Sequence, residues 1–231
     1  MFFIDPLYII MILPAFILSI YAQIKVKSAY ARYSKIPTMR GITGAEAARM
    51  ILVSQGINDV AIEPARGFLT DHYDPSSRVL RLSEGVYSGT SIASVGVAAH
   101  ESGHAIQHAR GYAPLKLRSA LVPVTMLGSN LAWPLLIIGF IFMSRSLITA
   151  GIVFFSFAVL FQLVTLPVEF DASARALKVL PATGILTDKE VQGARKVLSA
   201  AAMTYVAAAA AAILQLLYFM LRAGLLGGGD D

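Results

Sequence analysis

The stretch Val97-Ala98-Ala99-His100-Glu101-Ser102-Gly103-His104-Ala105-Ile106-Gln107-His108 contains the pattern His-Glu-x-x-His. On an α-helix, residues four apart lie one above the other on the same face, so His100 and His104 can reach a single ion. Glu101 then lies beside that ion. A zinc ion held by histidines brings the pKa of a coordinated water towards neutrality, and a neighbouring carboxylate can take its proton and ready it to attack a peptide carbonyl. The pattern therefore points to metallopeptidase chemistry with Glu101 as general base. Its flanks support a helix: Ser88 to Ser91 offers N-cap residues, and Ile92, Ala93, Val95, Val97, Ala98 and Ala99 lead into the motif without a proline. The helix is predicted to end near Gly111 and Pro114. A surface helix with these letters by chance is the poorer reading, because the chain has four histidines and two fall inside the pattern.

The rest of the chain reads as a membrane protein. Of its 231 residues, 56% are hydrophobic and 14% charged, and the mean hydropathy of +0.67 is far above a soluble average. There is no cysteine, so any metal must be held by histidine and carboxylate. The net charge of +5 does not imply a nucleic-acid partner. Its basic residues flank apolar spans, as membrane orientation requires, and form no single dense run.

Residues 1–24 are predicted to be an N-terminal transmembrane anchor. The run from Pro6 to Ile24 is almost free of charge, and Lys25, Lys27, Arg32, Lys35 and Arg40 follow at once. A secretory signal has the opposite order, so the anchor is read as uncleaved, with its N-terminus outside and its basic flank in the cytoplasm. Residues 25–118 then form a small cytoplasmic zincin-like domain. In it, Thr43-Gly44-Ala45-Glu46 opens a capped helix ending at Gly56. Val60 to Glu63, Gly67 to Tyr73 and Arg78 to Ser83 read as extended segments, with a turn at Asp74-Pro75-Ser76-Ser77. The last of these either offers an edge to an extended substrate or only completes the sheet.

Residues 119–168 read as a transmembrane hairpin with spans from about Leu121 to Met143 and from Leu147 to Val168, broken by Ser144-Arg145-Ser146. Residues 169–200 return the chain to the side of the motif, with a capping box at Thr187-Asp188-Lys189-Glu190. Residues 201–224 read as a fourth span, although the run Ala207 to Ala212 suits a buried soluble helix equally, and residues 225–231 as a disordered tail. The fold class expected is α+β: a mainly helical membrane protein with about four transmembrane helices and a short antiparallel sheet in the zincin-like domain.

Two histidines and a water leave one zinc position to fill. Asp71, His72, Asp74, Glu84, His108, Glu169 and Asp171 are the candidates on the same side. Glu169 stands out because it is expected to open a helix directly after a span, where a carboxylate is costly unless it has a role. The competing reading is a helix N-terminal charge that satisfies the dipole.

Together, His100-Glu101-x-x-His104, the hairpin and Glu169-Phe170-Asp171-Ala172 resemble the layout of the HtpX-type membrane peptidases. The chain more closely resembles the YugP-like neutral zinc metallopeptidases of bacterial membranes. The similarity lies in Leu69-Thr70-Asp71-His72-Tyr73-Asp74-Pro75, in Val97 to Gln107, and in Leu166-Pro167-Val168-Glu169-Phe170-Asp171-Ala172-Ser173. This resemblance covers nearly the whole chain. It implies a gluzincin-like metalloendopeptidase in the cytoplasmic membrane with one zinc per chain, His100, His104 and Glu169 as ligands and Glu101 as general base. One departure stands out: the HtpX-type pattern has an aspartate four residues after the glutamate ligand, where this chain has Ser173. The acid here is Asp171, so the residue that orients a ligating histidine is either Asp171, through another geometry, or Ser173.

Three further residues are candidates for substrate or ligand contacts. His108 repeats the four-residue spacing and is either a substrate contact, a donor to a ligand or a satisfied surface histidine. His72 is either an oxyanion donor or a turn residue. Arg175 holds a substrate carboxylate or a ligand acid, or is a membrane-interface charge. The partners expected are a peptide or membrane-protein substrate and the lipid bilayer, with no nucleic acid; the Ala- and Gly-containing spans permit a homo-oligomer or a membrane partner protein. The alternative to a peptidase is a non-catalytic membrane protein of assembly or quality control that keeps zinc for structure.

Overall fold

The computed structural model describes residues 5–226, so Met1 to Ile4 of the anchor and the expected tail from residue 227 lie outside the described residues. The elements are α1 (Pro6–Tyr33), α2 (Gly44–Ser54), β1 (Ala61–Ala65), β2 (His72–Asp74), β3 (Val79–Ser83), α3 (Glu84–Tyr87), α4 (Ile92–Ala109), α5 (Ala113–Ile141), α6 (Arg145–Ala182) and α7 (Asp188–Arg222). The protein is mostly helical, as expected. Among the described residues four helices, α1, α5, α6 and α7, are long and apolar enough to cross a membrane. They outrun the expected spans. At 1.5 Å per residue α6 is about 57 Å long, against roughly 30 Å of hydrocarbon in a bilayer. Glu169 therefore does not open a helix: it lies inside α6, which continues without a break through Pro167. The reading of Glu169 as an N-terminal dipole charge falls with that expectation.

The chain divides into two compact units. One contains Lys116–Leu166, the chain up to Tyr21 and the chain from Thr204. In this unit α5 and α6 form the predicted hairpin, turning at Met143 (φ +53°). Glycines bring their backbones together: a Cβ on Gly128 would stand 2.8 Å from the Phe154 carbonyl oxygen, and one on Gly139 would stand 2.8 Å from the Ile148 nitrogen. Such small residues allow membrane helices to pack closely where no hydrophobic effect drives them. Leu136, Ile148, Ile152, Tyr218 and Phe219 form this unit's buried cluster.

The other unit contains Ala22–Leu115 and Pro167–Met203. Its helix α2 begins with the predicted capping box, in which the Thr43 hydroxyl accepts from the Glu46 N–H and the Glu46 carboxylate accepts from the Thr43 N–H. It is followed by Gly56 at φ +72°, a conformation that suits glycine. Its apolar stripe, Ala47, Ala48, Ile51 and Leu52, is fully buried and packs on α4. Glu190 plays the predicted part at the start of α7, accepting from the Thr187 N–H and hydroxyl, and also accepts from the Met39 N–H.

The sheet has three strands in the order β1-β3-β2 and is mixed where a wholly antiparallel sheet was expected. β2 and β3 form the antiparallel pair joined by the predicted turn, whose Asp74 carboxylate accepts from Ser76 and Ser77. β1 pairs parallel to β3 from Ala61↔Val79 to Ala65↔Ser83. The loop and β2 thus act as the crossover that a parallel pair requires. β3 is the central strand, buried at Val79, Leu80, Leu82 and Ser83, so it completes the sheet and has no edge to offer. Its half-buried Arg81 pairs with Glu63 on one side (3.6 Å) and Asp74 on the other (3.3 Å). Pro64 in β1 is consistent with an edge position, where no ladder N–H is needed. Gly67 to Tyr73 is extended only from His72, after bends that include Leu69 at φ +55°.

Candidate metal centre

Helix α4 carries the motif and is buried almost all round, which explains its small and apolar composition. Ser91 caps it, its hydroxyl accepting from the Ser94 N–H, and Gly111 at φ +64° follows its end, both as predicted. Two glycines bring neighbouring helices close. A Cβ on Gly96 would stand 3.3 Å from Ala194 Cβ on α7, and one on Gly103 only 2.5 Å from the Ala172 carbonyl oxygen on α6. That second contact lies between the two histidines in sequence, and it brings α6 to the face that carries them.

His100 Nε2 lies 3.2 Å from Glu169 Oε2, and His104 Nε2 lies 3.7 Å from Glu169 Oε1. The donor atoms of these three residues all lie within 4.8 Å of one another. Four ligands about 2.0–2.1 Å from a tetrahedral zinc stand roughly 3.3 Å apart, so the observed spacing fits such an ion. Glu169 is 3% exposed, too buried for a carboxylate without a counter-charge. No other His, Asp or Glu among the described residues joins the group. Glu101, next to His100 on α4, is buried as well.

The outer partners resolve what the sequence left open. His100 Nδ1 is 3.0 Å from Ser173 Oγ, so Ser173 stands at the place expected of an aspartate. Asp171 instead acts one residue removed: it accepts from Gln107 Nε2 (2.8 Å), and Gln107 Oε1 faces His104 Nδ1 at 3.0 Å. The Arg175 guanidinium donates to the same Asp171 oxygen that accepts from Gln107, and lies over the Tyr112 ring, 5.6 Å from its centroid. Arg175 thus holds an acid, although not a ligand acid. Burial pushes the proton affinity of His104 down, but the Glu169 carboxylate 3.7 Å from its Nε2, together with the charge of Glu101, favours the protonated ring enough to hold the pKa above the ordinary histidine value.

The other candidates do not converge on this cluster. His108 Nδ1 shares a hydrogen bond of 2.8 Å with the Tyr73 hydroxyl, and partial burial holds the Tyr73 phenol above its usual pKa. His72 is exposed and its Nδ1 meets the Thr70 carbonyl, as a turn residue does. Asp71 accepts from the Ser83 N–H and hydroxyl. The serine hydrogen bonds to Asp74 hold that carboxyl well below the usual range. Gln107 is a site residue that the candidates drawn from the sequence do not include. Its position three residues after His104, on the same helical face, was the available signal.

His100 and His104 on the His-Glu-x-x-His helix, together with Glu169 from α6, form a group that fits a zinc ion, and four helices among the described residues are long and apolar enough to span a bilayer. The model of a family described as "Putative neutral zinc metallopeptidase" matches residues 8–224, and the chain belongs to that family. It is 50% identical over 215 residues to the "Putative membrane protease YugP" of Bacillus subtilis, an alignment that covers 93% of this chain and 96% of that protein. No solved structure matches the chain.

Proposed function

We propose that the protein is a membrane-bound zinc endopeptidase that holds one zinc per chain on His100, His104 and Glu169 and uses Glu101 as general base. The observation that carries this reading is the convergence of Glu169 on the two histidines, with a glutamate beside the first of them. Three protein donors leave a position open, whereas a structural zinc site normally closes all four. A zinc ion held there supplies Lewis acidity, polarising a peptide carbonyl and making water acidic enough to lose a proton near neutral pH. Glu101 accepts that proton as the water oxygen bonds to the carbonyl carbon, then delivers it to the departing amine as the C–N bond breaks. The burial of His104 and Glu169 strengthens each electrostatic contact in the centre.

The substrates proposed are peptides or membrane proteins. The site is assigned to the cytoplasmic face and the N-terminus to the outside, because the basic residues from Lys25 to Arg40 follow the first apolar run and precede the motif. With that orientation the segments 25–118 and 169–200, the motif among them, lie on the cytoplasmic side.

The test is zinc content and proteolysis of purified wild type and Glu101→Gln. The expected result is about one zinc per chain in both proteins, with cleavage lost in the variant alone. Unchanged cleavage in Glu101→Gln contradicts the mechanism, and a wild type without zinc contradicts the site.

A further inference from the structure

The Gln107 side chain is fully buried and makes three hydrogen bonds at once. Its Nε2 lies 2.7 Å from the Val168 carbonyl oxygen and 2.8 Å from Asp171 Oδ2, and its other amide atom lies 3.0 Å from His104 Nδ1. The first two partners only accept, so the atom facing them must be the amide NH2. The atom facing His104 is then the carbonyl oxygen, which also only accepts. A neutral imidazole carries one N–H, so His104 must carry it on Nδ1, and its Nε2 presents a bare lone pair on the side of Glu169.

His100 differs. Its Nδ1 faces the Ser173 hydroxyl, which can donate or accept, while its Nε2 lies 3.2 Å from Glu169 Oε2, which only accepts, so in the metal-free centre the neutral imidazole carries its proton on Nε2. Of the two imidazoles on the motif, His104 is held in the metal-binding tautomer, whereas His100 must move its proton to Nδ1, where the Ser173 hydroxyl can accept it, before its Nε2 can bind an ion.

We propose that Gln107 is a positioning residue that locks His104 in the Nδ1–H tautomer, with Val168 and Asp171 fixing the orientation of the amide and Arg175 anchoring Asp171. The lock raises zinc affinity because no proton has to move from Nε2 to Nδ1 when the ion arrives. The Val168 carbonyl and Asp171 lie on the same helix as Glu169, so the residues that orient one ligand travel with the third. The proposal rests on the zinc-peptidase reading above and adds a role for Gln107 that the motif does not require.

The first test needs no variant. In full-length metal-free protein in detergent at alkaline pH, the ¹⁵N chemical shifts of His104 should show Nδ1 protonated and Nε2 bare. His104 found with its proton on Nε2 overturns the proposal. The second test is zinc affinity by chelator competition. Gln107→Met, of similar volume but without the amide, should lose the fixed tautomer and bind zinc about 10- to 100-fold more weakly. Ser173→Ala should leave the His104 shifts unchanged. A Gln107→Met protein with wild-type shifts and affinity overturns the proposal while leaving the peptidase reading intact; a wild type that binds no zinc fails the reading itself.

Discussion

Replacing Gly103 by alanine sets two effects of known size against each other. In the middle of a helix, alanine is favoured over glycine by about 1 kcal/mol, so on propensity alone Gly103→Ala stabilises α4. Against this, the added methyl would stand 2.5 Å from the Ala172 carbonyl oxygen, 3.0 Å from its carbon and 3.1 Å from its Cα, all backbone atoms of α6. Ordinary contact begins near 3.4 Å, so α6 must retreat by roughly 0.9 Å, and overpacking of this kind costs about 1–3 kcal/mol. The retreat carries Glu169 and Ser173, on either side of Ala172, away from His100. Metal sites tolerate ligand errors of about 0.2 Å, so the strain falls on zinc binding. Converted to affinity, 1–3 kcal/mol is about 5- to 150-fold in zinc Kd. The assay is competition with a chromophoric chelator, run beside thermal unfolding in the same detergent. A Gly103→Ala protein with wild-type zinc affinity and a raised melting temperature would refute the claim that the Gly103–Ala172 contact sets the spacing of the centre.

Three other outcomes follow from the same structure. Gly44→Ala should lower stability by about 1–3 kcal/mol despite better helix propensity, because its Cβ would meet the Val86 carbonyl oxygen at 2.2 Å; thermal melts check this, and an unchanged melt contradicts it. Zinc affinity should fall as pH falls, starting above the ordinary histidine titration: the raised pKa of His104 means that protons compete for its Nε2 already near neutrality, and their removal as pH rises frees it. Chelator competition across pH measures the effect, and a flat profile through neutrality contradicts it. The chain has no cysteine, so single cysteines report orientation cleanly: in intact cells, Arg145→Cys should react with an impermeant maleimide and Thr70→Cys should not, the reverse pattern inverting the proposed topology.

What could be read from the sequence was what depends on local periodicity and chemistry. His100 and His104 were legible because four-residue spacing on a helix is enough to pair them, and the Ser91 and Thr43 caps because their partners lie three residues away. The spans were legible from apolar runs, but not their ends, since α6 continues as a helix for 14 residues beyond Val168 to Ala182 under tertiary packing. The parallel pairing of β1 with β3 was hidden because it depends on which side of the central strand the chain returns to. Glu169 was legible through its resemblance and its place after a span, while its position within α6 was not. The choice between Ser173 and Asp171 could not be made from spacing, because both are used: one reaches His100 directly and the other reaches His104 through Gln107.

The most direct test of the metal centre is anomalous diffraction at the zinc edge from crystals of the zinc-loaded protein. One peak is expected about 2.0–2.2 Å from His100 Nε2, His104 Nε2 and a Glu169 oxygen, with the remaining position open to solvent. A zinc peak elsewhere, or a fourth protein ligand closing the site, would contradict it.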